Sequence, residues 1–250
     1  VISREEGSGT RDAFTELTGV LQDDVDKTVD TAEISNSTSV VTQSVAGNDA
    51  AIGYISLGSL DDTVKAVKVD GVEATVDNIK SGDYKIQRPF NIVTKGEVKE
   101  LPADFIKFIM SKDGQKIIED EGYISVNDNA GAYKASGLKG SITLAGSTSV
   151  SPVMEVLADK YKELNSGVTI EIQQTGSGAG IQSTTEGVCD IGMASRELKD
   201  EETSQGLKSE EIALDGIAVI VNKDNGVEDL SMDQIMKIFT GEITSWADVK

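Results

Sequence analysis

Short apolar segments alternate with longer stretches of helical periodicity through the second half of the chain. This alternation constrains the fold more than any other feature of the sequence. Strands that alternate with helices predict an α/β protein with mostly parallel sheets, because each helix must cross the sheet before the next strand begins. The predicted strands are 142–144, 168–172, 190–193 and 212–221, and the predicted helices are 151–164, 178–187 and 231–240.

The first half of the chain is less regular but contains the same kinds of element. Apolar side chains at helical spacing over 102–119 predict a helix there. The small, polar segment 129–141 predicts a linker. The other predicted elements are a strand at 1–2 followed by a helix, a helix at 38–46, a buried strand at 51–55, and short strands at 64–69 and 72–76.

The chain has no histidine and a single cysteine, Cys189, which excludes several kinds of site. Ser-His-Asp and Cys-His nucleophile systems, and zinc sites built on His and Cys, cannot form within this chain. The formal net charge of −20 disfavours nucleic acid and anionic membrane surfaces as partners. It does not exclude a small anionic ligand, because salt screens distant surface charge beyond about 10 Å.

Three segments rich in glycine and hydroxyl side chains each follow a predicted strand and open a predicted helix. A helix N-terminus leaves about four N–H groups without partners and carries about half a positive charge. Glycine lets the backbone approach a ligand, and Ser and Thr hydroxyls donate to oxyanions. With the guanidinium of Arg4, they predict binding of a tetrahedral oxyanion. The segments are 6–10 (EGSGT), 145–149 (AGSTS) and 175–180 (TGSGAG).

Each of these features has a purely structural alternative. Ser, Thr or Gly before a single helix is more often a cap than a ligand contact. The alternative for Arg4, beside Glu5 and Glu6, is a surface ion pair. Two other phosphate-binding interpretations fail, because the chain has neither a G-x-x-x-x-G-K-[ST] nor a G-x-G-x-x-G motif.

Five motifs are spread over nearly the whole chain: VISREEGSGT (1–10), AIGY (51–54), AGSTSVSP (145–152), DIGMASR (190–196) and LSMDQIMKIFTGEITSWAD (230–248). They resemble motifs of the phosphate-binding proteins of Pst-type phosphate ABC transporters. The resemblance implies a two-lobed α/β fold of the type II periplasmic-binding-protein class, with a ligand cleft between the lobes.

The order of these motifs differs from the order in the family. Family members begin at the A-G-x-T loop and reach R-x-x-G-S-G-T and A-I-G-Y later, whereas this chain starts at R-x-x-G-S-G-T. The resemblance therefore implies a circular permutation with a joint near 137–140, natural or, as we favour, engineered. It also implies one lobe built from 1–89 and 215–250 and a continuous lobe built from 90–214.

Position by position, the resemblance implies a set of phosphate contacts. Well-studied members have an aromatic residue at the position of Ser149, so only a backbone contact is carried over there. Ser195 lies where some members have an aspartate that accepts the proton of hydrogen phosphate. Glu6 matches an acid that orients the arginine. The implied contacts are Arg4, Ser8, Gly9, Thr10, Thr148, Ser149, Ser177 and Ser195.

The function implied by the resemblance is reversible binding of inorganic phosphate, without chemistry and with no metal or other cofactor. We expect an extracytoplasmic monomer that delivers its ligand to the membrane permease of an ABC importer, or an engineered permutant of such a protein. Two alternatives remain, a phosphoester-processing enzyme and a designed scaffold or sensor with altered oxyanion binding. The lack of histidine and of a tight carboxylate cluster beside the glycine-rich segments argues against the enzyme.

Overall fold

A computed structural model describes residues 1–249 of the chain. Its strands, in chain order, are β1 (Ile2–Arg4), β2 (Leu21–Gln22), β3 (Val25–Asp26), β4 (Glu33–Ser35), β5 (Ile52–Ser56), β6 (Val64–Ala66), β7 (Lys68–Val69), β8 (Gln87–Lys95), β9 (Ile124–Ser125), β10 (Gly140–Gly146), β11 (Val168–Gln174), β12 (Ile191–Ala194), β13 (Leu207–Asn222) and β14 (Asp229–Leu230). The helices are α1 (Gly9–Thr18), α2 (Thr38–Ala46), α3 (Val76–Lys80), α4 (Glu100–Ile109), α5 (Lys112–Asp120), α6 (Ser151–Leu164), α7 (Ser177–Glu186), α8 (Asp200–Thr203) and α9 (Met232–Thr240).

The chain divides into two units. Unit 1 contains Val1–Arg88 and Asp215–Lys250, and unit 2 contains Pro89–Leu214. The chain passes between the units within two strands, β8 and β13. The sequence-based division, at 89/90 and 214/215, lies within one residue of these bounds. Residue 250, the last of the second predicted segment, lies outside the described residues.

The sheet of unit 2 has the strand order β11-β10-β12-β8. Strand β10 is parallel to both β11 and β12, and β8 is antiparallel to β12. Helix α7 packs closely on this sheet because it presents Gly180, where a Cβ atom would lie 2.4 Å from the Cα of Gly146. The core includes Phe90, Phe105, Phe108, Leu144, Met154, Leu157, Tyr161 and Ile191.

In unit 1, β1 pairs in parallel with β4, and β13 pairs antiparallel with β5 and β6. The core below these strands includes Ile2, Val41, Val45, Ile55, Ala218 and Ile220.

The buried charges of unit 1 include an ion pair at the points where both connecting strands leave the unit. Arg88 Nη2 donates to Asp215 Oδ2 at 3.0 Å, and the two side chains are 1% and 0% exposed. Ser56 Oγ donates to the other carboxylate oxygen at 2.8 Å. Burial raises the pKa of Asp215 to about 6, against the opposing effect of Arg88.

The helical periodicity over 102–119 belongs to two helices, α4 and α5, rather than one. Ser111 ends the first and caps the second, since its Oγ accepts from Gly114 N at 3.2 Å and donates to Phe108 O at 2.6 Å. The chain turns so tightly here that a Cβ atom on Gly114 would lie 2.3 Å from Phe108 O. Periodicity missed this break because both helices bury their apolar sides in the same core.

The strand predicted at 72–76 is also not observed. Val72 makes one bridge to Val69 across Asp70 and Gly71, whose φ angles are 51° and 79°. Helix α3 then begins at Val76, capped by Thr75, whose Oγ1 accepts from Asn78 N at 3.2 Å. The cap outweighs the β propensity of the valines.

Residues 130–139 have no regular secondary structure, as the composition of 129–141 predicts. Hydrogen bonds hold this segment within unit 2. Tyr133 OH donates to Asp104 Oδ2 at 2.5 Å and accepts from Asn165 Nδ2 at 3.1 Å, and Gly137 N donates to Asn165 Oδ1 at 3.2 Å. Asn165 therefore contacts the segment at two points.

Candidate functional site

Three of the strands in unit 2 end at one edge of its sheet. Strands β10, β11 and β12 run parallel and finish at Gly146, Gln174 and Ala194. The segments that follow them carry Ser147–Ser149, Ser177 and Ser195. The carboxyl edge of parallel strands is where ligands bind in open α/β sheets, because helix N-termini converge there.

Three serine hydroxyls meet at this edge, and we call Ser147, Ser177 and Ser195 the hydroxyl trio. Ser147 Oγ donates to Ser195 Oγ at 3.0 Å, and Ser177 Oγ lies 3.3 Å from Ser195 Oγ. Ser195 N also donates to Ser177 Oγ at 3.2 Å. All three are buried, with 3%, 1% and 0% exposure. The structure thus brings together two predicted residues, Ser177 and Ser195, and adds Ser147.

The capping alternative is realised at the first segment. Ser147 Oγ accepts from the backbone N–H groups of Ser149 at 3.2 Å and Val150 at 3.4 Å. Thr148 and Ser149 lie in this turn, 7% and 0% exposed. Helix α7 differs, since Gly176 precedes it with a φ of 87° and no side chain caps its start. The proton of the capping Ser147 hydroxyl is donated to Ser195 Oγ, so this cap also joins the turn to the rest of the hydroxyl trio.

Arg196, next to the hydroxyl trio, forms an ion pair within unit 2. Its Nη1 and Nη2 donate to Glu202 Oε2 and Oε1, each at 2.8 Å. Burial acts to raise the pKa of Glu202, but hydrogen bonds from Arg196 and from Lys199 N outweigh it, and the pKa is lowered. This geometry indicates that much of the charge of Arg196 is balanced inside the unit.

Unit 1 repeats the same arrangement with two strands. Strands β1 and β4 run parallel and end at Arg4 and Ser35, and helices α1 and α2 begin shortly afterwards. Arg4 is 2% exposed. Its Nε and Nη2 donate to Glu5 Oε2 and Oε1 at 2.8 and 2.9 Å, and its Nη1 donates to Thr38 Oγ1 at 3.3 Å.

Ser8, Gly9 and Thr10 lie at the start of α1, in the same unit as Arg4, and all three are buried. Ser8 is the N-cap, and its Oγ accepts from Arg11 N at 3.4 Å. Gly7 makes the turn before it with a φ of 82°. A buried cation, a helix N-terminus and two hydroxyls therefore come from one stretch of seven residues, Arg4–Thr10.

The expectation that Glu6 orients Arg4 needs correction, because the carboxylate on the guanidinium is that of Glu5. Glu6 is exposed in the turn before α1. Glu5 follows the last residue of β1, so its side chain is no longer fixed to the opposite face of the strand and turns back onto Arg4.

The sequence analysis also missed the segment Ser37–Thr38. This segment follows a strand and opens a helix, as the glycine-rich segments do, but it contains no glycine.

The donors in both units are backbone N–H groups and hydroxyls, joined in unit 1 by a guanidinium. This chemistry suits an oxyanion rather than a cation. Residues 1–249 contain no cluster of three or more potential metal-ligating side chains. None of the described helices has the length and apolar character needed to cross a bilayer.

Comparison with known proteins agrees with this chemistry. The family model "PBP superfamily domain" matches residues 1–113 and 131–250. "Phosphate-binding protein PstS 2" of Streptococcus agalactiae is 54% identical over 255 residues, covering 100% of this chain and 87% of that protein. "Phosphate-binding protein PstS" of Bacillus subtilis is 38% identical over 128 residues, covering 50% of this chain and 42% of that protein.

A solved structure is also similar over the full length. The crystal structure of a phosphate-binding protein of a phosphate ABC transporter from Streptococcus pneumoniae has a TM-score of 0.80 and 49% identity. The match covers 100% of this chain and 98% of that one. The expected α/β fold of the periplasmic-binding-protein class is confirmed. The chain belongs to the PBP superfamily and, within it, to the PstS family of phosphate-binding proteins.

Proposed function

We propose that this chain reversibly binds inorganic phosphate as the substrate-binding component of a phosphate ABC importer, outside the cytoplasm and with a membrane permease as its partner. The identity of 54% to a phosphate-binding protein supports the choice of ligand. The observation that carries the proposal is Arg4, a 2% exposed guanidinium in the same unit as the buried N-terminal residues of α1. Such a cation is suited to a small oxyanion that is fully desolvated on binding.

Each unit has its own set of proposed phosphate contacts. Arg4 would bind the ion through guanidinium N–H groups, and the start of α1 would supply Ser8, Gly9 and Thr10. In unit 2, the proposed contacts are Thr148, Ser149 and Ser177. The hydroxyl of Ser195 would accept a hydrogen bond from the P–OH group of hydrogen phosphate. Unlike a carboxylate, which only accepts, it could also donate to a phosphate oxygen.

Isothermal titration calorimetry with phosphate tests this proposal. Arg4→Met and Ser177→Ala should each weaken binding by about tenfold or more, because each removes a buried donor to a charged ligand. Lys116→Met, which removes an exposed cation of α5, serves as the charge-matched control and should leave affinity unchanged. A flat wild-type titration would contradict the proposal and favour the scaffold alternative.

We further propose that the bound phosphate undergoes no chemistry. The donors on both units include no histidine and no carboxylate cluster with metal-ligating geometry in residues 1–249. A phosphatase assay on a phosphoester, with and without Mg²⁺, tests this point. Turnover above the rate of the Arg4→Met variant would favour the enzyme alternative.

We also propose that the chain is a circular permutant relative to relatives such as the Bacillus subtilis protein. The full-length match to the streptococcal protein, against a match of 50% of this chain to the Bacillus protein, supports a segment order that is natural in one group, and not the engineered permutation that the sequence alone favoured. Aligning residues 1–136 and 140–250 separately with the Bacillus protein tests this. The permutation predicts that residues 1–136 match its second half and residues 140–250 its first half. Matches in the same order would exclude it.

A further inference from the structure

Two neighbouring residues of the A-I-G-Y motif, Gly53 and Tyr54, lie on β5 and contact the two helices that begin near Arg4. Successive residues of a strand point to opposite faces, so the two residues face different neighbours. A Cβ atom on Gly53 would lie 3.0 Å from Val41 Cγ1 and 3.1 Å from Val45 Cγ2. Glycine at this position therefore lets α2, which begins at Thr38, pack directly on β5.

Tyr54 makes polar contacts with the strand that carries Arg4. Its hydroxyl oxygen accepts from Arg4 N at 3.2 Å and lies 2.8 Å from Ser3 Oγ. Tyr54 is 1% exposed. Burial raises its pKa to about 12, so the hydroxyl is neutral at physiological pH. The backbone of Arg4 is also held at its other end, since Arg11 Nη1 donates to Arg4 O at 2.8 Å.

The ring of Tyr54 contacts the helix that carries the other donors of unit 1. It stacks on Phe14 of α1, with ring centroids 3.9 Å apart and planes 9° apart. Phe14 in turn packs edge-on against Phe239, with centroids at 4.7 Å. One buried side chain thus contacts both the strand bearing Arg4 and the helix that begins at Gly9.

We propose that Tyr54 is a positioning residue for phosphate binding, which sets the Arg4 guanidinium in register with the N-terminus of α1. This inference rests on the proposed function, since it assigns a role within the same site. Its physical basis is that donors must be held to within about 0.5 Å for full effect, by side chains whose own positions are locked by packing. Tyr54 itself does not contact the ion.

Tyr84 offers a matched control in the same unit. It is fully buried, and its hydroxyl donates at 2.8 Å to Ile217 O, which belongs to β13 and not to β1 or α1. Tyr54→Phe and Tyr84→Phe each delete one buried hydroxyl and keep the ring. A general loss of stability should appear in both variants, whereas a loss of ligand affinity should appear only when Arg4 is displaced.

The test measures phosphate affinity by calorimetry and melting temperature for both variants. We expect Tyr54→Phe to weaken affinity about 5- to 20-fold and Tyr84→Phe to change it by less than about twofold, with similar losses in melting temperature. Equal affinities of the two variants would overturn the inference. If Tyr54→Phe does not fold, Ser3→Ala removes the other partner of the hydroxyl and should weaken affinity about 2- to 5-fold. No weakening there would overturn the inference as well.

A double-mutant cycle distinguishes positioning through Arg4 from an independent effect. The cycle combines Tyr54→Phe with Thr38→Val. Both substitutions act on Arg4, since Tyr54 contacts its backbone N and Thr38 accepts from its Nη1. We expect the affinity loss of the double variant to be smaller than the product of the single losses. Strictly multiplicative losses would contradict the mechanism.

If wild-type protein does not bind phosphate at all, the proposed function fails, which is a different outcome from binding that is insensitive to Tyr54.

Discussion

At the scale of single residues, the buried arginines of this chain each have a carboxylate partner. Arg4 contacts Glu5, Arg88 contacts Asp215, and Arg196 contacts Glu202. Removing one member of a buried pair leaves an uncompensated charge in a medium that solvates it poorly. These pairs therefore stabilise the units that contain them and reduce the net positive charge around each arginine.

Glu5→Gln should lower the free energy of unfolding by about 1–3 kcal/mol in the absence of ligand, because it removes the carboxylate charge that is paired with the buried Arg4 guanidinium. Phosphate should then raise the melting temperature of this variant more than that of the wild type, since the anion replaces the lost charge. Differential scanning calorimetry with and without phosphate measures both effects. Glu6→Gln is the matched control, and an equal loss in that variant would contradict the assignment.

The pH dependence of the free energy of unfolding should reflect the protonation of the Asp215 carboxyl group. Its pKa of about 6 when folded exceeds the unfolded value, so the folded state binds a proton more tightly between about pH 4 and 6. The contribution of Asp215 to stability is therefore present below about pH 4, declines as pH rises towards 6, and is constant above it.

Urea unfolding of the wild type and of Asp215→Asn across this range isolates that contribution. The wild type should lose stability relative to the variant by up to about 1.4 kcal/mol per pH unit as pH rises from 4 to 6. A difference that is constant with pH, or that changes in the opposite direction, would show that Asp215 does not titrate as described.

At the scale of elements, the repeated motif is a strand, a turn of small residues and a helix. The sequence predicted the turn of this motif at 6–10, 145–149 and 175–180. Glycine and hydroxyl residues there lie between an apolar strand pattern and a helical pattern, which is a local signal. The sequence did not predict Ser37–Thr38, where the turn lacks glycine. Nor could it predict that Glu5 rather than Glu6 meets Arg4, since that depends on side-chain direction after the end of β1.

Gly180→Ala should destabilise the protein by about 1–3 kcal/mol, although alanine is the better helix former. The new methyl group would lie 2.4 Å from Gly146 Cα and 2.5 Å from Ala145 O, so α7 must move away from β10. Chemical denaturation measures the loss. Gly131→Ala, where no atom lies within 4 Å of the added carbon, should change stability by less than about 0.5 kcal/mol. Equal effects would rule out close packing as the cause.

At the scale of the whole molecule, the class of fold and the family were predictable, because alternating elements and long motifs persist along the chain. The break between α4 and α5 and the hydroxyl trio were not, because they depend on contacts between residues far apart in sequence. Ser147 and Ser195, for example, are 48 positions apart and meet only when β10 and β12 pair.

The net charge of −20 should have little effect on phosphate affinity. Donors within hydrogen-bond distance dominate binding, and salt screens charges beyond about 10 Å. Raising NaCl from about 20 to about 200 mM should change the dissociation constant by less than about threefold, with faster association as repulsion is screened. Stopped-flow and calorimetric measurements test this. A steep weakening with salt would indicate that long-range attraction, and not local donors, drives binding.

The anchoring of residues 130–139 has a practical consequence. A cut between Lys134 and Ala135 would leave Tyr133 bound to Asp104 on one side and Gly137 bound to Asn165 on the other. Asn165 also contacts Tyr133 across the cut, at 3.1 Å. Two separately produced fragments, 1–134 and 135–250, should therefore reassociate without a covalent joint. Phosphate binding by the mixed fragments would show that they have done so.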